Sequence, residues 1–280
     1  MFTLKTPAKI NWFLHVLGKR EDGYHEITSL MQTVSLYDYL TFEYSDKIEI
    51  ITEADIPIEE NLIYKAAVLL KEETSFKGGV KITLKKEIPI AAGLGGGSSD
   101  AACSLIGLNR LWGLGKEGDE LIGFGERLGS DVPFFFKEPF AVVKGRGEII
   151  TQLKANTSNI ILLVKPPLNV STKWAYSELS KILTNITKRD DNIKFFCQTL
   201  DKQDFRLIAS LMINDLEIPV IKEFKVIGEI KERLIAMGAF AAIMSGSGPT
   251  VFGLFGSREK AEEAAEAMKP NWARVVETII

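Results

Sequence analysis

The chain has 280 residues, 46% of them hydrophobic and 25% charged, and carries a formal net charge of −3. These values lie near the globular average, which excludes disordered, collagenous and fibrous chains and leaves room for one large domain or two ordinary ones. A slightly acidic balance without a basic stripe argues against a nucleic-acid partner.

Taken in chain order, the first stretch reads as β structure. Residues 2–9 and 11–17 are short apolar-rich runs, 18–23 form a polar turn, and 28–36 resume the strand pattern, as in a hairpin with a long tip. Further strands are expected over 39–44 and 47–52. A helix over 61–74 follows, with Asn61 as its cap and Leu62, Ala66, Leu69 and Leu70 on one face. Residues 80–86 alternate as a strand. A Gly-rich loop comes next, after which Ser99-Asp100 opens a helix that Gly113 stops. A shorter helix is expected within 118–128.

The composition turns polar near 154–158, so the boundary is drawn there, giving residues 1–155 and 156–280. Beyond it come a strand over 160–164 and helices near 172–183, 193–198, 204–213 and 221–237, the last capped by Gly238. Strands over 241–244 and 251–255 flank a second Gly turn. A helix over 258–269 and a strand over 273–279 end the pattern. Mixed elements without regular βαβ alternation indicate an α+β fold in two packed lobes.

Cys103 and Cys197 lie far apart and lack metal-ligand spacing, which fits free thiols in a reducing cytosol. Cys103 reads as a small buried residue on a helix. The start, Met1-Phe2-Thr3-Leu4-Lys5, does not resemble a signal peptide, and no run approaches about 18 uninterrupted apolar residues. Lys85-Lys86 and Lys188-Arg189 read as solvated surface. The expectation is a cytoplasmic protein, monomeric or homodimeric, with a small-molecule partner and no membrane or nucleic-acid partner.

The loop reads Pro89, Ile90, Ala91, Ala92, Gly93, Leu94, Gly95, Gly96, Gly97, Ser98, Ser99. Its glycines remove nearly every Cβ, so a bulky anion can approach the backbone, and the following helix aims unpaired N–H groups at that anion. Ser98 and Ser99 add hydroxyls that can donate to phosphate or ligate a metal. A Walker A loop would need a Lys that is missing here. The dinucleotide fingerprint fails because Ser98 stands where its last Gly belongs and no strand leads into Asp119 or Glu120. A Gly loop without ligand is the bland alternative, weakened by the helix start and the two serines. The segment is therefore expected to hold nucleotide phosphates.

Phosphoryl transfer to an alcohol also needs a carboxylate, a cation and an acceptor pocket. Asp131, in Gly129-Ser130-Asp131-Val132-Pro133, is the carboxylate candidate, although local sequence favours a helix cap. Lys9, amid apolar strand residues, is the cation candidate, although a solvated strand Lys is the plainer reading. Asn11 shares its strand face. With only His15 and His25 present, neither a catalytic triad nor a zinc site is suggested. Tyr24-His25 can stack on and hydrogen-bond a base or simply be exposed, and Tyr176 is a second aromatic that can equally serve packing.

Residues 7–17 with Gly23-Tyr24-His25, the loop 89–99, residues 129–135, Asn214-Asp215-Leu216-Glu217 and Ser245-Gly246-Ser247-Gly248-Pro249-Thr250 form one ordered set. That set resembles the galacto-, homoserine, mevalonate and phosphomevalonate (GHMP) kinase superfamily. Pro7-Ala8-Lys9-Ile10-Asn11, Gly18-Lys19-Arg20, Asp22-Gly23-Tyr24-His25 and Asn-Asp-Leu-Glu resemble the branch whose acceptor alcohol carries a diphosphocytidyl group. The resemblance implies an ATP-dependent kinase, with magnesium accompanying ATP and residues 89–99 on its phosphates. It implies Asp131 as base with Lys9 as charged partner, Tyr24 and Tyr176 on either side of the cytosine, His25 at its edge, and Asn11 orienting the acceptor. It implies an N-terminal ATP-binding and catalytic lobe of ribosomal-protein-S5-like topology. A ferredoxin-like C-terminal lobe would complete the substrate cleft. The rivals are another kinase of the superfamily, a nucleotide-binding module without catalysis, and a dinucleotide oxidoreductase.

Overall fold

The computed structural model describes residues 1–182 and 193–280. Leu183, expected to end the helix over 172–183, and the Lys188-Arg189 pair lie outside the described residues. Two compact units emerge, each assembled from separated segments. One comprises Met1–Ala8, Leu36–Ile90 and Gly95–Glu138; the other comprises Lys9–Ser35, Ala91–Leu94 and Pro139–Ile280. The sequence reading instead draws a single boundary, between 155 and 156. Strands β1 (Phe2–Lys19) and β2 (His25–Ser45) each contribute to both units.

In the first unit, β3 (Ile48–Thr52) lies parallel to β4 (Gly79–Lys85), and the chain between them contains helix α1 (Leu62–Thr74). β4 pairs antiparallel with the end of β2, Tyr39 opposite Lys85 and Ser45 opposite Gly79. Asn61 caps α1 as expected, accepting the Ile63 N–H. Helices α2 (Gly96–Trp112) and α3 (Gly118–Leu128) pack with α1 over a core of Leu40, Phe42, Ile63, Leu70, Ile82 and Leu105. Gly107 allows that approach, because a Cβ there would lie 2.3 Å from the Phe42 ring.

In the second unit, the first part of β2 pairs antiparallel with β5 (Phe140–Gly145), which turns back into β6 (Ile149–Gln152). The C-terminal strands are β7 (Ile160–Lys165), β8 (Ala241–Met244), β9 (Val251–Phe255) and β10 (Trp272–Glu277). They form an antiparallel sheet in the order β10-β7-β9-β8, the fourth-first-third-second order of a ferredoxin-like lobe. Its helices are α4 (Thr172–Ile182), α5 (Ile193–Asp201), α6 (Phe205–Leu211), α7 (Glu217–Glu223), α8 (Lys225–Ala236) and α9 (Arg258–Ala267). Leu162, Val164, Leu216, Val220, Ile227 and Phe255 belong to its core. Among the described residues, no helix is long and apolar enough to cross a membrane.

Several boundaries differ from the sequence expectation. The runs 2–9 and 11–17 are one strand, and so are 28–36 and 39–44. The helix expected over 221–237 is two helices, α7 and α8, broken at Phe224, whose φ of −113° and ψ of 77° are not helical. β5 and β6 were not expected, although Phe140-Ala141-Val142-Val143 before Gly145 and Gly147 is a strand-and-turn pattern.

Candidate active site

Residues 6–16 of β1 are buried without interruption, so its polar side chains must find partners inside the protein. Lys9 is only 2% exposed. Its ammonium donates to Asn11 Oδ1 at 2.6 Å and to the Gly93 carbonyl at 3.0 Å, so it is not a solvated strand lysine. Asn11 Nδ2 donates to Ser29 Oγ at 2.8 Å, and Ser29 Oγ donates to the Phe13 carbonyl at 2.7 Å. The Lys9 N–H bonds the Leu94 carbonyl at 2.9 Å, which fixes the loop against the strand. Gly93 has φ 75°, and a Cβ there would fall 2.2 Å from the Ser245 carbonyl oxygen. Ser245 Oγ donates to the Gly93 carbonyl at 3.0 Å, so that oxygen serves both Lys9 and the second Gly turn.

α2 begins at Gly96, earlier than the expected start at Ser99-Asp100, with Gly95 at the cap position in left-handed conformation. The glycines thus form the first helical turn, whose leading N–H groups lack intrahelical acceptors. Ser99 Oγ is buried with no hydrogen-bond partner among the described residues. A Cβ on Gly97 would meet nothing closer than Leu62 Cδ1 at 3.8 Å, so the protein leaves space there. Oriented amides, an orphaned hydroxyl and an open backbone suit a polyphosphate.

Beneath this helix start lies a cluster that sequence reasoning missed. Lys86 Nζ donates to Asp38 Oδ2 at 2.5 Å and to Asp100 Oδ2 at 2.8 Å. Asp38 also accepts the N–H groups of Glu87 and Ile88, at 2.6 and 2.8 Å. Thr6 Oγ1 donates to Asp100 Oδ1 at 2.6 Å. The group ties the segment before the loop to the first turns of α2. Lys86 therefore departs from the surface reading, with its side chain 11% exposed, whereas Lys85 is 71% exposed. The missed signal was period-two spacing: Leu36, Asp38, Leu40 and Phe42 share the buried face of β2, where a carboxylate requires a partner.

Asp131 is half-buried, just before a 3-10 helix, Pro133–Phe136. Val132 holds the cap position of that helix, so the local preference for Asp131 as its cap residue does not hold. The apolar run that follows it, Val132 to Phe135, is buried.

Tyr24 is 49% exposed at the β1–β2 hairpin tip, with the Arg146 guanidinium 5.1 Å from its ring centre. His25 stacks on Tyr176, ring centroids 4.9 Å apart, and its Nε2 lies 2.6 Å from Ser180 Oγ. Burial, with a smaller push from the Lys19 charge, holds the His25 pKa below its usual value, so the ring is neutral at pH 7. Cys103 donates to the Lys5 carbonyl, and burial pushes its thiol up to about 12, consistent with an inert residue. Among the described residues, no group of three or more His, Cys, Asp or Glu side chains is placed to hold a metal ion.

The N-terminal domain model of the GHMP kinases matches residues 61–138, and the GHMP kinase C-terminal model matches residues 196–274. A relative from Thermodesulfovibrio yellowstonii named 4-diphosphocytidyl-2-C-methyl-D-erythritol kinase is 46% identical, over 100% of this chain and 99% of its own. One of the same name from Geobacter metallireducens is 43% identical over 95% of this chain and 93% of its own. A crystal structure of 4-(cytidine 5'-diphospho)-2C-methyl-D-erythritol kinase superposes with a TM-score of 0.84 at 33% identity, covering 99% of each chain. Homoserine kinase from Cytophaga hutchinsonii, at 22% identity and TM-score 0.72 over 99% of this chain and 95% of its own, shares the fold. With both domain models matched and near-full-length relatives at these identities, the chain belongs to the GHMP kinase family.

Proposed function

We propose that this protein is the kinase that transfers the γ-phosphoryl of ATP to the 2-hydroxyl of 4-diphosphocytidyl-2-C-methyl-D-erythritol, a step of non-mevalonate isoprenoid precursor synthesis. The observation that carries the reading is the near-full-length similarity, 41–46% identity over 90–100% of the chain, to relatives that share this one name.

In this reading, residues 89–99 hold the ATP phosphates on the backbone N–H groups at the start of α2, with the Ser99 hydroxyl as an added donor. Asp131 accepts the proton of the attacking hydroxyl, and Lys9 supplies positive charge to the transferring group. Asn11, locked by Lys9 and Ser29, orients the acceptor. Tyr24, His25 and Tyr176 recognise the cytosine, His25 by hydrogen bonding and the tyrosines by stacking.

Magnesium fits the donors present. Mg²⁺ commonly keeps several waters and uses one or two protein oxygens plus substrate phosphates, so a dedicated acidic cage is not required. Ser98 and Ser99 are the hydroxyls that would hold it. When bound, it neutralises charge on the phosphates. A cytoplasmic location and a monomeric or homodimeric state complete the proposal.

The test is a coupled ADP-release assay with the cytidyl acceptor, mevalonate and homoserine. Turnover confined to the cytidyl acceptor is expected. Turnover with mevalonate or homoserine but not with it would assign another reaction within the superfamily.

A further inference from the structure

We propose that Asn214 is a positioning residue that acts through Gly246 to hold the Lys9 ammonium in place. This rests on Lys9 serving as the charge at the transferring phosphoryl group. The motif Asn214-Asp215-Leu216-Glu217 is buried at its first three residues, which are 4%, 5% and 0% exposed. It touches two segments at once. Asp215 ties it to β1: its N–H donates to the Leu14 carbonyl at 3.0 Å, and its Oδ2 accepts the Val16 N–H at 2.9 Å. β1 is the strand that carries Lys9 and Asn11.

Asn214 and Glu217 tie the motif to the Ser-Gly-Ser-Gly turn. Asn214 Nδ2 donates to the carbonyls of Met244 and Gly246, at 2.7 and 2.8 Å. Its Oδ1 accepts the Leu216 N–H at 3.0 Å, which fixes the amide's orientation. Glu217 Oε1 accepts the Met244 N–H at 2.8 Å. Gly246 is thereby pulled onto Lys9. Its φ is 56°, and a Cβ there would lie 3.1 Å from both Lys9 Nζ and the Gly93 oxygen. Ser245, beside it, donates to that same oxygen. The backbone beside the ammonium is therefore held by the Asn214 amide together with the Glu217 carboxylate and the Ser245 hydroxyl.

A reacting group displaced by about 1 Å costs on the order of 10²-fold in rate. Asn214→Asp keeps the acceptor for Leu216 but turns the donor into an oxygen facing two carbonyls. It is expected to lower kcat about 10–100-fold while leaving both KM values within about threefold. Gly246→Ala presses on Lys9 from the turn and should lower kcat similarly.

The decisive experiment is a double-mutant cycle with Lys9→Met, read in kcat, with thermal unfolding of each variant alongside. If Asn214 acts through Lys9, the double variants fall no further than Lys9→Met alone. Multiplicative losses would mean an independent structural role and overturn the proposal, as would full kcat in Asn214→Asp. If Asn214→Asp does not fold, Asn214→Gln, which keeps the amide but displaces its donor from the carbonyls of Met244 and Gly246, takes its place in the cycle with Lys9→Met. Full kcat in Lys9→Met would instead remove the role of Lys9 itself, and this inference with it.

Discussion

Tyr176 lies on the imidazole of His25, ring centroids 4.9 Å apart and planes 28° from parallel. One helical turn on, Ser180 Oγ gives its proton to the Tyr176 carbonyl at 2.9 Å, so it accepts from His25 Nε2 at 2.6 Å. That arrangement leaves Nδ1 as the acceptor nitrogen of a neutral ring, which in the proposed function would take the exocyclic amine of cytosine. Stacking of a base on an aromatic side chain contributes roughly 1–3 kcal/mol. Tyr176→Ala should raise KM for the cytidyl acceptor by about 5–150-fold and leave KM for ATP unchanged. A uracil-bearing acceptor should bind less well than its cytosine counterpart. Steady-state kinetics with each substrate varied decides it; a parallel rise in both KM values would place Tyr176 outside the acceptor site.

Asp131→Asn preserves size but cannot take a proton. General-base help is typically worth about 10²–10⁴-fold, and kcat should fall by that factor. ATP affinity, measured by calorimetry, should stay within about threefold, because the proposed phosphate site is made by residues 89–99. Undiminished turnover would take Asp131 out of the mechanism.

Elements with a clear period or a cap were legible in the sequence: Asn61 starts α1, Gly113 ends α2, and α3 spans the expected residues. β1 and β2 were split because long strands buried on both faces give no alternation to follow. That burial on both faces is also why Lys9 departs from its plainer local reading as a solvated strand lysine: its partner Gly93, like the Ser29 partner of Asn11, is distant in sequence and invisible to it. Lys86, the residue just past the end of β4, departs from the surface reading because it pairs with Asp38 and Asp100, partners distant in sequence, whereas its neighbour Lys85 is a true surface lysine. The Asn-Asp-Leu-Glu motif stood out as a pattern, but its meaning depends on the turn at 244–246, which only folding brings to it.

Two glycines of the loop should respond oppositely to alanine. At Gly93 the φ of 75° and the 2.2 Å approach to the Ser245 oxygen leave no room, so Gly93→Ala should destabilise the fold by about 2 kcal/mol or more. At Gly97, inside α2 and facing open space, alanine should add roughly 0.5–1 kcal/mol of stability through helix propensity. ATP affinity should nevertheless drop in Gly97→Ala, because the methyl takes space that a phosphate needs against the backbone. Thermal unfolding with and without ATP reads both effects. A Gly97→Ala protein with undiminished ATP affinity would move the phosphates away from this turn.

Asp100 should leave a signature in the pH dependence of stability. Its carboxyl is pushed up to about 6 by burial, the largest cause, and by the Asp38 charge, against the pull of Lys86 and Thr6. The ordinary value is 3.8, so between about pH 4 and pH 6 the folded chain holds a proton that the unfolded chain has released. Stability from this group therefore falls as pH rises through that window and stays low above it. Asp100→Asn removes the dependence while its amide can accept from Lys86 and donate to Thr6 Oγ1. Relative to the parent, the variant should show a flatter stability curve between pH 4 and 6 and a gain on the order of 2–3 kcal/mol at pH 8. Urea unfolding of both proteins across pH 4.5–8 measures the difference. Parallel curves would mean that the Lys86 ammonium keeps Asp100 ionised throughout the range.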